Sequence, residues 1–350
     1  MTDDRERWAL ILGASSGMGE ATAITLAKAG YRICGIHLDF RAALAHVDDV
    51  KAAIEAAGSE ALYINMNAAD DEKRSTALAT LRERFDRSRA EGREPYVRVV
   101  MHSLAFGSLV PFLTEDPKAG VDRKKMEMTQ DVMANSLVYW VQDLWRGGFL
   151  GQGSKIYAMT SEGSTRVVPS YGVVSSAKAA LESHVRQLAM ELARQGTGAT
   201  ANCIRAGVTV TPALLKIPES QVMIDITMKR NPTGRMTTPQ DVANAILALS
   251  GDEQRAATTQ ADQDRSLAGR VAQHASSAHG RRSISGQRGQ LEVVRCQDVG
   301  QHKRLGLQAA GGCRVEDGGG LREPGLPQRL VGRAGPDLVT DQHDVARAER

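Results

Sequence analysis

Aromatic residues are scarce in this chain. Phe, Trp and Tyr make up 4% of its 350 residues, and every one lies before position 172. Cysteine is nearly as rare: there are four, with no Cys-x-x-Cys pair, which argues against a disulfide scaffold or a structural zinc site. No apolar run approaches the roughly 20 residues that a membrane span needs; Trp8-Ala-Leu-Ile-Leu12 is among the longest. The opening residues, Met1-Thr-Asp-Asp-Arg-Glu-Arg7, hold no apolar stretch of the kind a secretory signal requires. These absences predict a protein of a reducing compartment, the cytoplasm, with no membrane partner. A large charge of one sign is also missing, the formal net charge being +3. Residues 1–253 carry 29 Lys+Arg against 30 Asp+Glu, and residues 254–350 carry 15 against 11. The basic excess thus belongs to the C-terminal part, and no nucleic-acid partner is expected. His37, His46, His102 and His184 show no metal-ligand spacing, so no metal is expected either.

The same scarcities divide the chain near residue 253. No Phe, Trp, Tyr or Met follows Met236, and from Gln254 onward the basic residues are Arg except for Lys303. Without aromatics and long apolar runs, such a segment does not bury enough surface to offset its ordering entropy. Leu291-Glu-Val-Val294 is too short and isolated to seed a core. The expectation is a folded domain over 1–253 and a non-globular tail over 254–350.

Before that boundary the pattern alternates. Apolar segments Trp8–Leu12, Tyr31–Leu38, Glu60–Met66, Tyr96–Leu104, Lys155–Thr160 and Ala199–Ile204 read as strands. Met18–Ala29, Arg41–Ala57, Glu72–Ala90, Met126–Arg146, Ser175–Arg194 and Thr238–Leu249 read as helices. The last has Thr238 as N-cap, Pro239 at its first position and Asp241 in its first turn. Alternation at this spacing predicts an α/β fold: a doubly wound parallel sheet of Rossmann type, six strands being recognisable. Ligands of such sheets bind at the carboxyl ends of the strands.

Chemistry-bearing residues fall at those ends. Gly13-Ala-Ser-Ser-Gly17-Met-Gly19 follows the first strand and opens the first helix. Gly13 permits a tight turn, Gly17 a close backbone approach to a pyrophosphate, and Gly19 close packing of helix on strand. The helix amides and dipole would hold the phosphates, with Ser15, Ser16 and Met18 lining the turn. A glycine-rich turn without a ligand is the plainer alternative. Tyr171 and Lys178 are seven residues apart, about 700° of helix, so both point the same way if the helix starts near Pro169. A nearby ammonium would lower the phenol's pKa and let Tyr171 donate or share a proton near neutral pH; a core-edge tyrosine and a surface lysine would look the same. Asn135, in mid-helix, would hold a water or a backbone carbonyl open toward the site, or lie on a solvated face.

Together these residues resemble the short-chain dehydrogenase/reductase family over about residues 7–250, and within it the enoyl-(acyl carrier protein) reductases. The usual family arrangement places the tyrosine four before the lysine, at position 174, which here is Val174. Tyr171 instead gives Tyr-x6-Lys, the spacing of enoyl reductases. His102-Ser-Leu-Ala-Phe106 and Ala177-Lys-Ala-Ala-Leu-Glu182 are similar to that branch, and Ser161-Glu-Gly-Ser-Thr-Arg166 is most like its hydroxysteroid-dehydrogenase-like members. Where many enoyl reductases carry a second tyrosine, this chain has Glu162, which would turn away or pair with Arg166.

The resemblance implies reduction of the C2=C3 double bond of a trans-2-enoyl thioester, carried by acyl carrier protein or coenzyme A, in fatty-acid elongation. Carbonyl, hydroxysteroid or 3-oxoacyl reduction on the same fold is the alternative, and a non-catalytic nucleotide sensor is a third. Tyr171, Lys178, Ser161 and Asn135 would be catalytic. Gly13, Ser15, Ser16, Gly17, Met18, Gly19, His37, Arg41, Asn67, Ser103, Lys178, Gly207, Val208 and Thr211 would bind the cofactor. His37 and Arg41 suit the 2′-phosphate of NADP and Asp39 opposes it, so NADP is favoured with NAD the alternative. Gly107–Lys125, with Lys118, Arg123, Lys124 and Lys125, is either a carrier-binding loop or a solvated one; Val208–Arg235 is either a substrate lid or a helix pair packed on the body. Relatives end soon after a last strand of Gly-x-x-Ile-x-Val-Asp-Gly-Gly type. Its apparent absence after Asp252 implies a tail read out of frame, and a homo-oligomer, a homotetramer in the family, weakened at one sheet edge.

Overall fold

The computed structural model describes residues 5–217 and 220–251, and the backbone of residues 291–294. Its centre is a sheet ordered β3-β2-β1-β4-β5-β6-β7. The strands are β1 Glu6–Leu12, β2 Arg32–His37, β3 Ala61–Asn65, β4 Pro95–His102, β5 Leu150–Met159, β6 Thr200–Ala206 and β7 Leu291–Val294. The first six run parallel, as the alternating pattern predicts. The helices are α1 Gly17–Lys28, α2 Leu44–Ala56, α3 Asp71–Ala90, α4 Arg123–Gln130, α5 Ser136–Arg146, α6 Gly172–Arg194, α7 Ser220–Arg230 and α8 Pro239–Leu249.

Both faces of the sheet are covered. Along β1 the side chains alternate: Trp8, Leu10 and Leu12 pack with Leu81 and Phe85 of α3, Trp140 of α5 and Leu181 of α6. Ala9 and Ile11 pack on the opposite face with Leu26 of α1, Ile54 of α2 and Ile246 of α8. That is the two-residue period of a strand buried on both sides. Strand order reverses between β1 and β4, which opens a crevice at their carboxyl ends.

Three features depart from the sequence reading. The single helix expected over Met126–Arg146 is two helices joined by a π-turn, Asp131–Asn135. Ser136 Oγ donates back to the Val132 carbonyl at 2.8 Å, and His102 Nε2 is hydrogen-bonded to Ser136 Oγ at 3.0 Å. This chain of bonds ties the turn to the end of β4. The edge beside β6, where no further strand was expected, carries Leu291–Val294, antiparallel, with Ile204 opposite Val293. Sequence patterning alone would not place these four residues in a sheet. The rest of the tail, and with it the expectation of a non-globular or out-of-frame segment, lies outside the described residues. The third difference is a 3-10 turn, Arg41–Ala43, in place of the first turn of the helix expected over Arg41–Ala57.

Candidate active site

The glycine turn is built by contacts that only glycine permits. Gly13 has φ +88°, and a Cβ there would lie 2.5 Å from the Ser103 carbonyl oxygen. A Cβ on Gly19 would overlap the Gly13 carbonyl. Backbone N–H groups of Gly13 and Ala14 donate to the Ile36 carbonyl, and Ser103 N–H donates to Leu12, so β1, β2 and β4 meet under the turn. Ser16 stands at the N-cap of α1 without a side-chain cap, so its side chain does not take up the first amides of the helix. Thr211, held by hydrogen bonds to Leu214 and Leu215, lies across Gly17. The Gly207 carbonyl accepts from Thr209 Oγ1, and Thr209 forms an isolated parallel bridge with Thr237, beyond the end of β6. Ser15 is buried and Met18 half-buried within this turn.

At the end of β2 the arrangement differs from expectation. The His37 ring is buried, its Nδ1 lies 2.9 Å from Asp39 Oδ2, and it packs beside the Tyr63 ring. Asn65 holds Asp39 through both its backbone N–H and its carbonyl. His37 is therefore spoken for, whereas Arg41 is exposed. Asn67 Oδ1 accepts from Ala69 N–H and shapes the turn into α3.

Ser161, Tyr171 and Lys178 come together at the end of β5. Tyr171 is the N-cap of α6, preceded by Ser170 in the left-handed region at φ 57°. Its Oη donates to Ser161 Oγ at 3.4 Å. Gly163 lies against the phenol ring, with no room for a Cβ. Ser161 Oγ also accepts from Gly163 N–H at 3.1 Å. Lys178 is buried and donates to the Met159 carbonyl at 2.8 Å and the Leu104 carbonyl at 3.3 Å, next to the Ser103 that abuts Gly13. Burial brings its pKa down to about 8, against the opposing pull of Cys203 and Glu182. The phenol behaves opposite to the expectation drawn from its lysine. Burial raises its pKa, and the Ser161 hydrogen bond is what opposes the rise. A protonated phenol at neutral pH is a hydrogen-bond donor, which suits it to meet a developing negative charge.

Asn135 lies in the π-turn, at the start of α5. His184 Nε2 donates to its Oδ1 at 3.1 Å. His184 follows Lys178 by six residues, about 600° of helix, so it lies on a different face of α6. The exposed Glu162 pairs with Arg166 at 2.7 Å, as its position suggested. Sequence reasoning missed three groups. His102 is buried with a pKa of about 3, through burial and then the Lys178 charge, and among the described residues its Nδ1 has no hydrogen-bond partner. Glu182 and Arg205 form a polar cluster behind Ser161. The one available signal was the spacing of Lys178 and Glu182, which is that of an i,i+4 pair.

In the Gly107–Lys125 loop, Lys125 caps back on Gly120 and Asp122, and Arg123 faces Glu127. Phe112 and Leu113 are exposed there; Leu215, Val222, Ile226 and Met228 are exposed in the segment of α7, which buries no residue of its own. Among the described residues no cluster of metal ligands occurs, and no helix is long and apolar enough to cross a membrane.

Comparison with known proteins decides the family. The model of the Enoyl-(Acyl carrier protein) reductase family matches residues 13–262. The chain belongs to this family. It is an oxidoreductase of the short-chain dehydrogenase/reductase type, whose members bind NAD(P). The NADH enoyl-(acyl carrier protein) reductase FabI of Aquifex aeolicus is 32% identical over 163 residues, which is 46% of this chain and 57% of that protein. The match thus spans little more than half of that relative. Longer matches carry other names within the superfamily. The chloroplastic NADPH-dependent aldehyde reductase-like protein of Arabidopsis thaliana is 27% identical, covering 70% of this chain and 88% of that one. The 3-oxoacyl-(acyl carrier protein) reductase FabG of Aggregatibacter actinomycetemcomitans is 28% identical, covering 72% and 94%. Among solved structures, the Aquifex aeolicus NADH enoyl reductase superposes with a TM-score of 0.61 at 25% identity, covering 72% of this chain and 92% of that one.

Proposed function

We propose that the chain reduces the C2=C3 double bond of trans-2-enoyl thioesters, carried by acyl carrier protein or coenzyme A. The observation that carries this reading is the position of the phenol. Val174, where a carbonyl reductase of this superfamily would place its tyrosine, is buried and has no proton to give. Tyr171, about one helical turn earlier, is the residue that faces Ser161. In an enoyl thioester two atoms separate the oxygen that gains charge from the carbon that is reduced, whereas in a ketone it sits on that carbon. Setting the phenol back by a turn suits the former.

The residues present fit a nicotinamide dinucleotide: the uncapped α1 amides over a turn with no room for side chains would hold its phosphates, and Lys178 would hold its nicotinamide ribose. When bound, NAD(P)H would supply the hydride to the β-carbon. Tyr171 donates a hydrogen bond to the thioester oxygen as charge builds there, which is stabilisation confined to the transition state. Ser161 orients the phenol. With His37 bonded to Asp39, Arg41 is the cation that would meet a 2′-phosphate. NADPH is therefore favoured through Arg41, with Asp39 opposing it; dissociation constants for NADPH and NADH measured in parallel rank the two.

The longer matches to aldehyde and 3-oxoacyl reductases favour a second reading, carbonyl reduction at the same site. A paired assay separates the two. Oxidation of NAD(P)H with crotonyl thioesters, and none with acetoacetyl thioesters or ketosteroids, is expected; the reverse pattern assigns the chain to carbonyl reduction.

A further inference from the structure

Glu182 stands on α6, buried, one turn beyond Lys178. A buried carboxylate costs free energy unless charge and hydrogen bonds compensate it. Here a single oxygen, Oε1, accepts from Thr160 Oγ1 at 2.6 Å and from Ser164 Oγ at 2.8 Å. Arg205 of β6 supplies the counter-charge at 3.4 Å and reaches Ser164 Oγ at 3.5 Å. Thr160 and Ser164 bracket the short segment that holds Ser161 and Gly163. Both of those inner residues touch Tyr171, one through its hydroxyl and the other beneath its ring. Tyr171 in turn begins the helix that carries Glu182. The carboxylate thus closes a loop: α6 presents the phenol at its start, and from its third turn it grips both ends of the segment facing that phenol.

We propose that Glu182 is a positioning residue that sets the distance between Ser161 and Tyr171 by clamping Thr160 and Ser164 to α6. The proposal rests on the assignment of Ser161 and Tyr171 to the reactive site, and it holds whether the substrate is an enoyl thioester or a ketone. A carboxylate serves here because one oxygen can accept two hydroxyls at once while the guanidinium neutralises its charge. Glutamine would keep an accepting oxygen; alanine would release both hydroxyls.

The test uses the full chain with both crotonyl and acetoacetyl thioesters, taking whichever the wild type turns over. Glu182→Ala should lower kcat by at least about 10-fold, with the KM for NAD(P)H changed less than about 3-fold. Glu182→Gln should recover most of the loss. If Glu182 acts through Ser161, the double variant Ser161→Ala/Glu182→Ala loses no more than Ser161→Ala alone; losses that multiply overturn the proposal, as does wild-type turnover of Glu182→Ala. Thr160→Val, which keeps the side-chain shape, should reproduce part of the effect if Glu182→Ala does not fold. Should the wild type turn over neither substrate, the functional reading fails, and crystal structures still decide the clamp. Ser161 Oγ moved out of hydrogen-bond reach of Tyr171 in Glu182→Ala or Thr160→Val supports it, and an unchanged pair overturns it.

Discussion

In the nucleotide site proposed at the β1–α1 turn the groups offered to a ligand would be backbone amides, while at the proposed catalytic β5–α6 corner they would be side chains. The turn needs nothing beyond glycines at three positions and the strand ends beneath them, because the amides of a helix start point outward by construction. The corner depends on residues far apart in sequence. Ser161, Tyr171 and Lys178 are aligned by Met159 and Leu104 carbonyls and by a carboxylate that also reaches Arg205. A backbone-built site breaks at the few positions where a Cβ will not fit. A side-chain-built site can be weakened from many.

The comparison is broken most directly at Gly19. In Gly19→Val the new side chain would occupy the space of the Gly13 carbonyl, and dinucleotide binding should weaken by at least about 100-fold in a fluorescence titration. A dissociation constant near that of the wild type would show that the turn does not cradle the phosphates. At the other site, Tyr171→Phe should lower kcat by roughly 100-fold while NAD(P)H binding stays as it was, because the only loss is a partner for charge that develops during reaction. Turnover close to wild type would remove Tyr171 from the mechanism.

A smaller and more graded effect should appear with pH. Lys178 loses its proton near pH 8 in the folded protein, against 10.5 as the ordinary value. Its charge supports the site, so kcat/KM should fall as pH rises through about 8. Stability should move the other way. Between pH 8 and 10.5 the unfolded chain binds the proton that the folded chain has released, so unfolding free energy from this group rises with pH across that window. Activity that holds up to pH 10, or a fall in both quantities together in Lys178-dependent fashion, would contradict the buried charge. The smallest effect belongs to the start of α8, which packs on α1 and touches neither corner's side chains directly. Thr238 and Asp241 cap the start of α8 reciprocally, and Thr238→Ala should cost ~1 kcal/mol, a few degrees in Tm, without changing kcat. A change in kcat with Tm unmoved would tie α8 to the site.

The parallel sheet, the glycine turn and the Tyr171–Lys178 spacing were legible in the sequence because each rests on local periodicity or on residues close in the chain. The cap of α8 was legible for the same reason, as Thr238, Pro239 and Asp241 lie within one turn. The π-turn before α5 was not, since it follows from the His102–Ser136–Val132 bonds between β4 and the helix. Nor was the fate of Asn135, which a histidine on another helix engages.

By itself, then, the sequence determined the alternation of strands and helices, the glycine turn that opens the first helix, and the offset of the phenol from its lysine. Those follow from steric rules and helical geometry acting over a few residues. Only the tertiary structure decided which polar groups are occupied and which are offered: His37 bound to Asp39, the phenol pKa raised by burial, Lys178 seated on two carbonyls, Glu182 gripping both sides of Ser161. Hydrogen bonds and desolvation depend on what lies across the gap between elements. Spacing along the chain does not specify that neighbour; packing does.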